Sequence, residues 1–312
     1  MNPGSTILIT GGTGLVGNAI TAALLERGFH VIVLTRNQGN QNSNHPHLTY
    51  KSWNVEKQEI DNEAIKKADY IIHLAGASIA EKRWTTKRKK EIVNSRVDSG
   101  KLIVEILRTN PNKIKTVISA SATGWYGPDP EKDFRGFKES DPAASDFLGQ
   151  TCKQWEAAID PVIDLGVRLV KLRLGIVLSN DGGALKEFKK PLQFGIATIP
   201  GNGSQVMSWI HIDDVVRMFL FMLDNENIYG TFNAVSPNPV TNKELILQMA
   251  TTERGRFFIP IHVPSIALKI IIGEMSVEIL KSFTVSAEKI LKAGFIFQYQ
   301  SIEKAIEQLS GK

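Results

Sequence analysis

Cysteine and long apolar segments are scarce in this 312-residue chain. Its one cysteine, Cys152, excludes a disulfide within the chain and predicts a reducing compartment such as the cytoplasm. The most apolar late run, residues 266–272, is interrupted by Lys269 and is far shorter than the roughly 20 residues that a membrane-spanning helix needs. Residues 1–4 show neither the charge nor the apolar stretch of an export signal. We therefore expect a cytoplasmic protein with no membrane partner.

Signatures of metal sites and of nucleophilic hydrolases are missing as well. No group of cysteines or histidines has the spacing of zinc ligands, and no G-x-S-x-G segment presents a serine nucleophile. The string His211-Ile212-Asp213-Asp214 is open to interpretation as a metal site or a His–Asp pair. We favour a helix cap, with Asp213 capping a helix over 214–223 and His211 half-buried in a strand. The sequence thus predicts no metal.

The composition is that of a globular protein with one large domain or two coupled domains. Hydrophobic residues make up 42% of the chain and charged residues 22%, with a formal net charge of +5. Much of the local positive charge lies in one cluster: Lys82, Arg83, Lys87, Arg88, Lys89 and Lys90. RNA binding through this cluster is one hypothesis, but a solvated helix face is the simpler one. We expect no nucleic acid partner.

The most informative stretch, residues 7–17, runs from an apolar strand through a glycine-patterned turn into a helix. In such a turn Gly11 permits the tight bend, Gly14 the close approach of a phosphate, and Gly17 the packing of helix on strand. The helix N-terminus attracts the pyrophosphate of a dinucleotide. The residues predicted to bind the cofactor here are Gly11, Gly12, Thr13, Gly14, Leu15, Val16 and Gly17.

The end of the second strand favours NADP(H) over NAD(H). That strand ends Leu34-Thr35-Arg36-Asn37, without the carboxylate that usually binds the ribose 2′-hydroxyl of NAD. A guanidinium such as that of Arg36 binds a 2′-phosphate by charge-assisted hydrogen bonds. The alternative is that Arg36 is only a solvated loop cation.

Strand-like and helical segments alternate through the first two-thirds of the chain. The strands are expected at 7–10, 31–35, 47–53, 70–75, 116–121 and 168–174, with another at 230–235. This alternation predicts an α/β fold, a Rossmann-type doubly wound parallel sheet with a smaller, discontinuous α+β substrate domain. We expect the NADP-binding domain at 1–179 plus about 211–236, and the substrate domain at about 180–210 plus 237–312.

Several separate motifs resemble the short-chain dehydrogenase/reductase superfamily, in its extended and atypical branch of nucleotide-sugar epimerase-like proteins. They are residues 10–17, His73-Leu74-Ala75-Gly76-Ala77, Asn94-Ser95-Arg96-Val97, 119–127, Trp155-Glu156, 208–214 and Gly294-Phe295. The resemblance is to a subgroup called epimerase-family proteins, which carry a short C-terminal domain. It implies further cofactor contacts at Glu91 and Arg96. From their places at strand ends we also expect cofactor contacts at Thr35, at Leu74, Ala75 and Gly76 beside the ribose, and at Leu178 on the nicotinamide side. For Glu91 and Arg96 a plain surface helix is the alternative.

The resemblance also exposes a gap in the catalytic residues. The superfamily uses a tyrosine four residues before a lysine as its proton donor, and no tyrosine in this chain has that spacing. Lys153 has Gly149 at the tyrosine position, and the register that suits Trp155-Glu156 gives Leu148 and Cys152 instead. By resemblance, Ser121 holds a substrate oxygen. Thr123 or Tyr126 assists, although Tyr126 also has a structural interpretation.

We therefore hypothesise an NADP(H)-binding, epimerase-like oxidoreductase with a degenerate Tyr-x-x-x-Lys motif. Its substrate would be a small molecule, nucleotide-sugar-like or otherwise polar, and the protein a monomer or homodimer. The alternative is a catalytically silent NADP(H)-dependent binding or regulatory protein.

Overall fold

Strands and helices alternate along the chain in a computed structural model that describes residues 4–36, 43, 45–131 and 133–311. The strands are β1 Thr6–Thr10, β2 His30–Thr35, β3 Leu48–Asn54, β4 Glu59–Ile60, β5 Tyr70–His73, β6 Thr116–Ala122, β7 Arg168–Leu174, β8 Ile176–Leu178, β9 Ile196–Pro200, β10 Val206–Met207, β11 Trp209–His211, β12 Gly230–Ala234, β13 Val240–Thr241 and β14 Ile259–Val263. The helices are α1 Leu15–Glu26, α2 Asn62–Lys67, α3 Thr86–Thr109, α4 Phe147–Ile159, α5 Gly183–Leu192, α6 Ile212–Asp224, α7 Asn242–Arg254, α8 Ser265–Ile272, α9 Ser276–Leu280, α10 Glu288–Lys292 and α11 Ile302–Leu309.

The largest sheet has the order β12-β7-β6-β5-β1-β2-β3-β4 among the described residues. All neighbours pair in parallel except β3 and β4. Apolar clusters cover both faces, as expected of near-continuous hydrophobic strands. The predicted Rossmann-type doubly wound sheet is confirmed, and the order reverses at β1, where such folds bind ligands.

A third apolar cluster lies outside this sheet. It joins β8, β9 and β11 to α5, α7 and α11 through side chains such as Leu178, Trp209 and Ile306. The segment that contains Phe283, Phe295 and Phe297 packs instead with the cluster of the main sheet. The C-terminal part of the chain is therefore divided between two cores.

The start of α6 differs from the sequence-based prediction. His211, not Asp213, is the N-cap: its Nδ1 accepts a hydrogen bond from the main-chain N–H of Asp213 at 3.1 Å. His211 is fully buried rather than half-buried, and its Nε2 lies 2.9 Å from Gln308 Oε1. The carboxylate of Asp214 accepts the N–H groups of Gln298 and Tyr299, which ties α6 to the chain before α11. The motif is therefore structural.

Two features are absent from the part of the chain that the structure describes. No set of three or more His, Cys, Asp or Glu side chains there is placed to hold a metal ion. No helix there is long and apolar enough to cross a membrane.

Candidate functional site

The turn after β1 depends on glycine for steric reasons. Gly11 has φ +69°, a backbone conformation that residues with a Cβ rarely adopt. A Cβ at Gly12 would lie 2.7 Å from Val33 Cγ1, and a Cβ at Gly17 would lie 2.3 Å from Gly11 O. The absence of side chains at Gly12 and Gly17 therefore lets α1 pack closely against the turn, and this packing fixes the direction of the helix N-terminus.

The N-terminus of α1 is shaped for an anion. Gly14 is the N-cap, no side chain caps the helix, and its first turn contains no acidic residue. A Cβ at Gly14 would approach only Gly11 O, at 3.3 Å, and otherwise face open space. The first N–H groups of a helix have no partner within it, and the helix dipole favours negative charge there. This cradle fits a pyrophosphate.

A buried histidine positions the chain that follows β5. Thr10 Oγ1 accepts hydrogen bonds from the N–H groups of Leu74 and Ala75, at 3.2 and 3.3 Å. It also lies 2.7 Å from His73 Nδ1, while His73 Nε2 lies 3.4 Å from Ser99 Oγ. Burial lowers the pKa of His73 to about 4, so the ring is neutral at pH 7. The main chain at 74–76 is thus held beside the glycine turn.

Arg96 lies against Gly76, in the segment that follows β5. Its Cζ would be 3.1 Å from a Cβ on Gly76, so a larger residue there would require the guanidinium to shift by a few tenths of an ångström. Nη1 donates to the carbonyl oxygens of Ala77 and Ile92, and the group lies 5.0 Å from the centre of the Trp155 ring. Burial lowers the pKa of Arg96 to about 10, so it remains a cation at neutral pH.

The cation proposed for the 2′-phosphate lies on the surface. Thr35 is buried at the end of β2, while Arg36 beside it is exposed; Asn37 is outside the described residues. Glu91 on α3 pairs with Arg88 at 2.8 Å. The hydrogen bond from Arg88 lowers the pKa of Glu91, and Arg36 lowers it further through its charge. Arg36 and Glu91 are therefore electrostatic neighbours.

Ser121 belongs to a buried ion-pair network. Its hydroxyl donates to Glu156 Oε1 at 2.7 Å, and Arg173 Nε donates to the same oxygen at 2.7 Å. Arg173 Nη2 donates to Glu156 Oε2 at 3.1 Å, and all three side chains are less than 5% exposed. The prediction that Ser121 holds a substrate oxygen is not supported, because its hydroxyl points at the carboxylate of α4.

Tyr126 extends the same network and does not point into a cleft. Its hydroxyl donates to Asn233 Oδ1 at 2.7 Å and accepts from Arg173 Nη1 at 2.9 Å. The ring is fully buried and stacks on Phe137, with centroids 5.1 Å apart. Burial raises the pKa of Tyr126 to about 12. These contacts favour the structural interpretation of Tyr126, and its catalytic role stays a prediction.

Three further predicted site residues are the catalytic candidates Lys153 and Thr123 and the cofactor candidate Leu178. Lys153 is exposed on α4. Thr123 is 5% exposed, and its hydroxyl donates to Leu174 O at 3.3 Å. Leu178, expected near the nicotinamide, is fully buried in the third apolar cluster. The structure thus brings Ser121 and Tyr126 together through Glu156 and Arg173, while Lys153 is exposed on α4.

The register of α4 places Leu148 and Cys152 at the end of β6. A Cβ on Gly124 would lie 3.3 Å from Leu148 Cβ and 3.7 Å from Cys152 Sγ. Gly149 packs elsewhere, since a Cβ there would be 2.4 Å from Ala144 O. Burial raises the pKa of Cys152 to about 12, so the thiol is protonated and inert as a nucleophile.

Comparison with known proteins agrees with this geometry. The profile of the NAD dependent epimerase/dehydratase family matches residues 7–147 and 186–234. The chain belongs to this family. A second profile, a domain of unknown function (DUF1731), matches residues 263–309 and corresponds to the short C-terminal domain expected from the sequence.

Similar proteins cover almost the whole chain. An epimerase family protein of Staphylococcus aureus (strain MRSA252) is 35% identical, over 98% of this chain and 99% of its own length. One of Staphylococcus saprophyticus is 36% identical, over 97% and 98%. The crystal structure of human epimerase family protein SDR39U1 (isoform 2) with NADPH is similar at 25% identity and TM-score 0.84, covering 98% of this chain and 99% of the other. A UDP-N-acetylglucosamine 4-epimerase from Methanobrevibacter ruminantium, at 19% identity and TM-score 0.79, shares the fold, with 99% and 98% covered.

Two features of the site were not predicted from the sequence. The Glu156–Arg173 pair joins α4 to β7, and its signal was only the string Trp155-Glu156. The approach of Arg96 to Gly76 joins α3 to the segment after β5. Both are contacts between distant segments, and no local spacing encodes them.

Proposed function

We propose that this family member binds NADP(H) in preference to NAD(H) and transfers hydride to or from a polar, nucleotide-sugar-like small molecule. The observation that carries the proposal is the open cradle at Gly14 beside a β2 end with Arg36 and no carboxylate. The similarity to SDR39U1, whose crystal structure is with NADPH, supports the choice of cofactor.

Different groups around the glycine turn would bind the pyrophosphate, the 2′-phosphate and the ribose of the cofactor. The amides at the start of α1 would hold the pyrophosphate, and Arg36 would bind the 2′-phosphate. The main chain at Leu74 and Ala75 would lie along the ribose. Among the described residues, Arg96 uses only Nη1 for hydrogen bonds, so its remaining N–H groups are available to an anionic or carbonyl oxygen in the cleft.

The cofactor, when bound, supplies or accepts the hydride. The matching proton needs another donor than a phenol, because Tyr126 is committed to Asn233. Thr123 lies in the turn directly after β6, and its hydroxyl donates to Leu174 O at 3.3 Å, a longer hydrogen bond than the 2.7 Å bonds that Ser121 and Tyr126 donate. We infer that Thr123 and Arg96 orient the substrate oxygen and that water carries the proton.

Calorimetric titration with NADPH and NADH tests the cofactor. We expect tighter binding of NADPH, and in Arg36→Ala a loss of about 10-fold to 100-fold for NADPH with NADH unaffected, since charge-assisted hydrogen bonds contribute about 1.5–3 kcal/mol each. Arg27→Ala is the matched control, because Arg27 is an exposed cation at the other end of α1, paired with Asp224. Equal affinities for both cofactors in the wild type would refute the role of Arg36.

Hydride exchange with deuterated NADPH, across carbonyls, alcohols and nucleotide sugars, tests the reaction. Thr123→Val removes the hydroxyl at nearly constant volume, and we expect it to lower turnover without changing the affinity for NADPH. Ser121→Ala should retain turnover, because that hydroxyl serves Glu156.

A second candidate function follows from the buried network. Ser121 and Tyr126 are both committed to internal partners, which suits a catalytically silent protein that binds NADP(H) and reports its occupancy. Stoichiometric NADPH binding with no hydride exchange across the panel would favour this candidate. Turnover that is lost in Thr123→Val would exclude it.

A further inference from the structure

Helix α8 and the strand before it expose a set of isoleucines. Ile266, Ile270 and Ile271 on α8 are 71%, 70% and 64% exposed, and Ile259 and Ile261 on β14 are 67% and 44% exposed. None of the residues of α8 is buried. We call these five isoleucines the apolar patch. Exposed apolar residues in one continuous segment, as here, are typical of an interaction surface.

Positive charge lies beside the α8 part of this patch. Arg83 Nη2 donates to Ile270 O at 3.2 Å, and Lys89 forms an ion pair with Glu274 just beyond α8. These contacts bring the basic cluster of residues 82–90 beside the isoleucines. Lys82, Arg83, Lys87 and Lys269 are all exposed, and we call them the basic rim.

The charge of the chain is concentrated here. Segments 81–91 and 269–274 contain seven lysines and arginines and three glutamates, a net of four positive charges out of five for the whole chain. A second copy docked about a two-fold axis would bring the same patch, and so the same rim, against itself. Like charges would oppose such a dimer, so the rim calls for a negatively charged partner.

The shape of the patch favours a lipid surface over a groove in another protein. No residue of α8 is buried, and three of its isoleucines are 64–71% exposed, so the helix presents an apolar face to the solvent and does not line a groove. Ile266 and Ile270 lie one turn apart on the helix, with Lys269 beside them. An apolar helix face of this kind enters the boundary between headgroups and acyl chains, while lysine side chains reach up to anionic headgroups.

We propose that the apolar patch and the basic rim dock this protein on an anionic bilayer surface, with α8 lying in the interface. The expectation of no membrane partner rested on the lack of a spanning segment, which a surface contact does not need. The proposal is independent of the proposed cofactor and reaction.

Sedimentation with vesicles tests it. Vesicles of phosphatidylcholine with about one-third phosphatidylserine are compared with pure phosphatidylcholine. We expect binding to the anionic vesicles to exceed binding to the neutral ones at least tenfold and to weaken as salt is raised, because the Debye length falls from about 10 Å at 0.1 M to about 3 Å at 1 M.

The isoleucines are tested by the double variant Ile266→Ser/Ile270→Ser, which should bind the anionic vesicles about tenfold or more weakly. Ile163→Ser is the matched control, since Ile163 is 57% exposed and lies in the turn after α4, and it should bind as the wild type does. Unchanged melting temperature and circular dichroism establish that each variant is folded.

Three results would overturn the proposal. One is no binding of the wild type to anionic vesicles at low salt. Another is equal binding of the wild type and the double variant, which would leave only non-specific attraction by the basic rim. The third is a dimer in light scattering that the double variant abolishes, which would assign the patch to a second copy of the chain.

Discussion

Acid should destabilise this protein through His73, whose ring is fully buried between β5 and α3. Burial lowers its pKa from 6.5 to about 4. The unfolded chain therefore binds a proton more readily than the folded one. The resulting loss of stability is absent above about pH 7 and grows as pH falls from 6.5 to 4, below which it is complete.

The size of the effect follows from these two values. A difference of about 2.5 pKa units corresponds to roughly 3 kcal/mol once His73 is protonated in both the folded and the unfolded chain, and to about 2 kcal/mol between pH 7 and pH 5. Protonation also affects the site. Since Thr10 Oγ1 accepts the N–H groups of Leu74 and Ala75, its own hydrogen points at His73 Nδ1. A protonated ring carries a hydrogen on Nδ1, which would clash with the hydroxyl hydrogen of Thr10 and disturb this hydrogen bond.

Urea unfolding, followed by tryptophan fluorescence at pH 7 and pH 5, measures the loss. The control is His73→Asn, whose side-chain oxygen can still accept from Thr10 but cannot take up a proton in this range. We expect the wild type to lose about 2 kcal/mol more than the variant between the two pH values. His211, also buried with a lowered pKa, is present in both proteins and cancels. Equal losses in the two proteins would refute the reasoning.

The remaining predictions concern the glycine turn and the buried network. Gly14→Ala places a methyl group in the open cradle, so calorimetry should show much weaker NADPH binding at nearly unchanged melting temperature. Gly17→Ala should lower both, because its Cβ would be 2.3 Å from Gly11 O; normal stability in this variant would contradict the geometry. Glu156→Gln should cost about 3–5 kcal/mol in urea unfolding, because it leaves a buried guanidinium without its counter-ion. Ser121→Ala should cost only about 1 kcal/mol, the loss of a single hydrogen bond; a cost as large as that of Glu156→Gln would contradict the network.

The sheet could be predicted because its signals are local. Residues 168–174 are predicted and observed as a strand with the same bounds, and α1 begins at Leu15 as expected. The strand predicted at 70–75 ends at His73 instead, and the Thr10 side chain accepts hydrogen bonds from the N–H groups of Leu74 and Ala75 just beyond that end. The cap of α6 was misplaced by two residues, since His211 is a rare capping residue whose choice depends on its burial against Gln308.

The glycine turn and the surroundings of Ser121 differ in the same way, because the first is local in the sequence and the second is not. The turn is formed within seven residues of chain, so its glycines could be recognised by their spacing. The surroundings of Ser121 are assembled from β6, β7 and α4, and the partners of Ser121 depend on strand register. Because Ser121 pairs with Arg173 across β6 and β7, their side chains share one face of the sheet, and Glu156 on α4 covers both. A serine one position along the strand would face the opposite side. Whether a hydroxyl at a strand end serves a substrate or an internal carboxylate is therefore set by long-range pairing, which the sequence does not display.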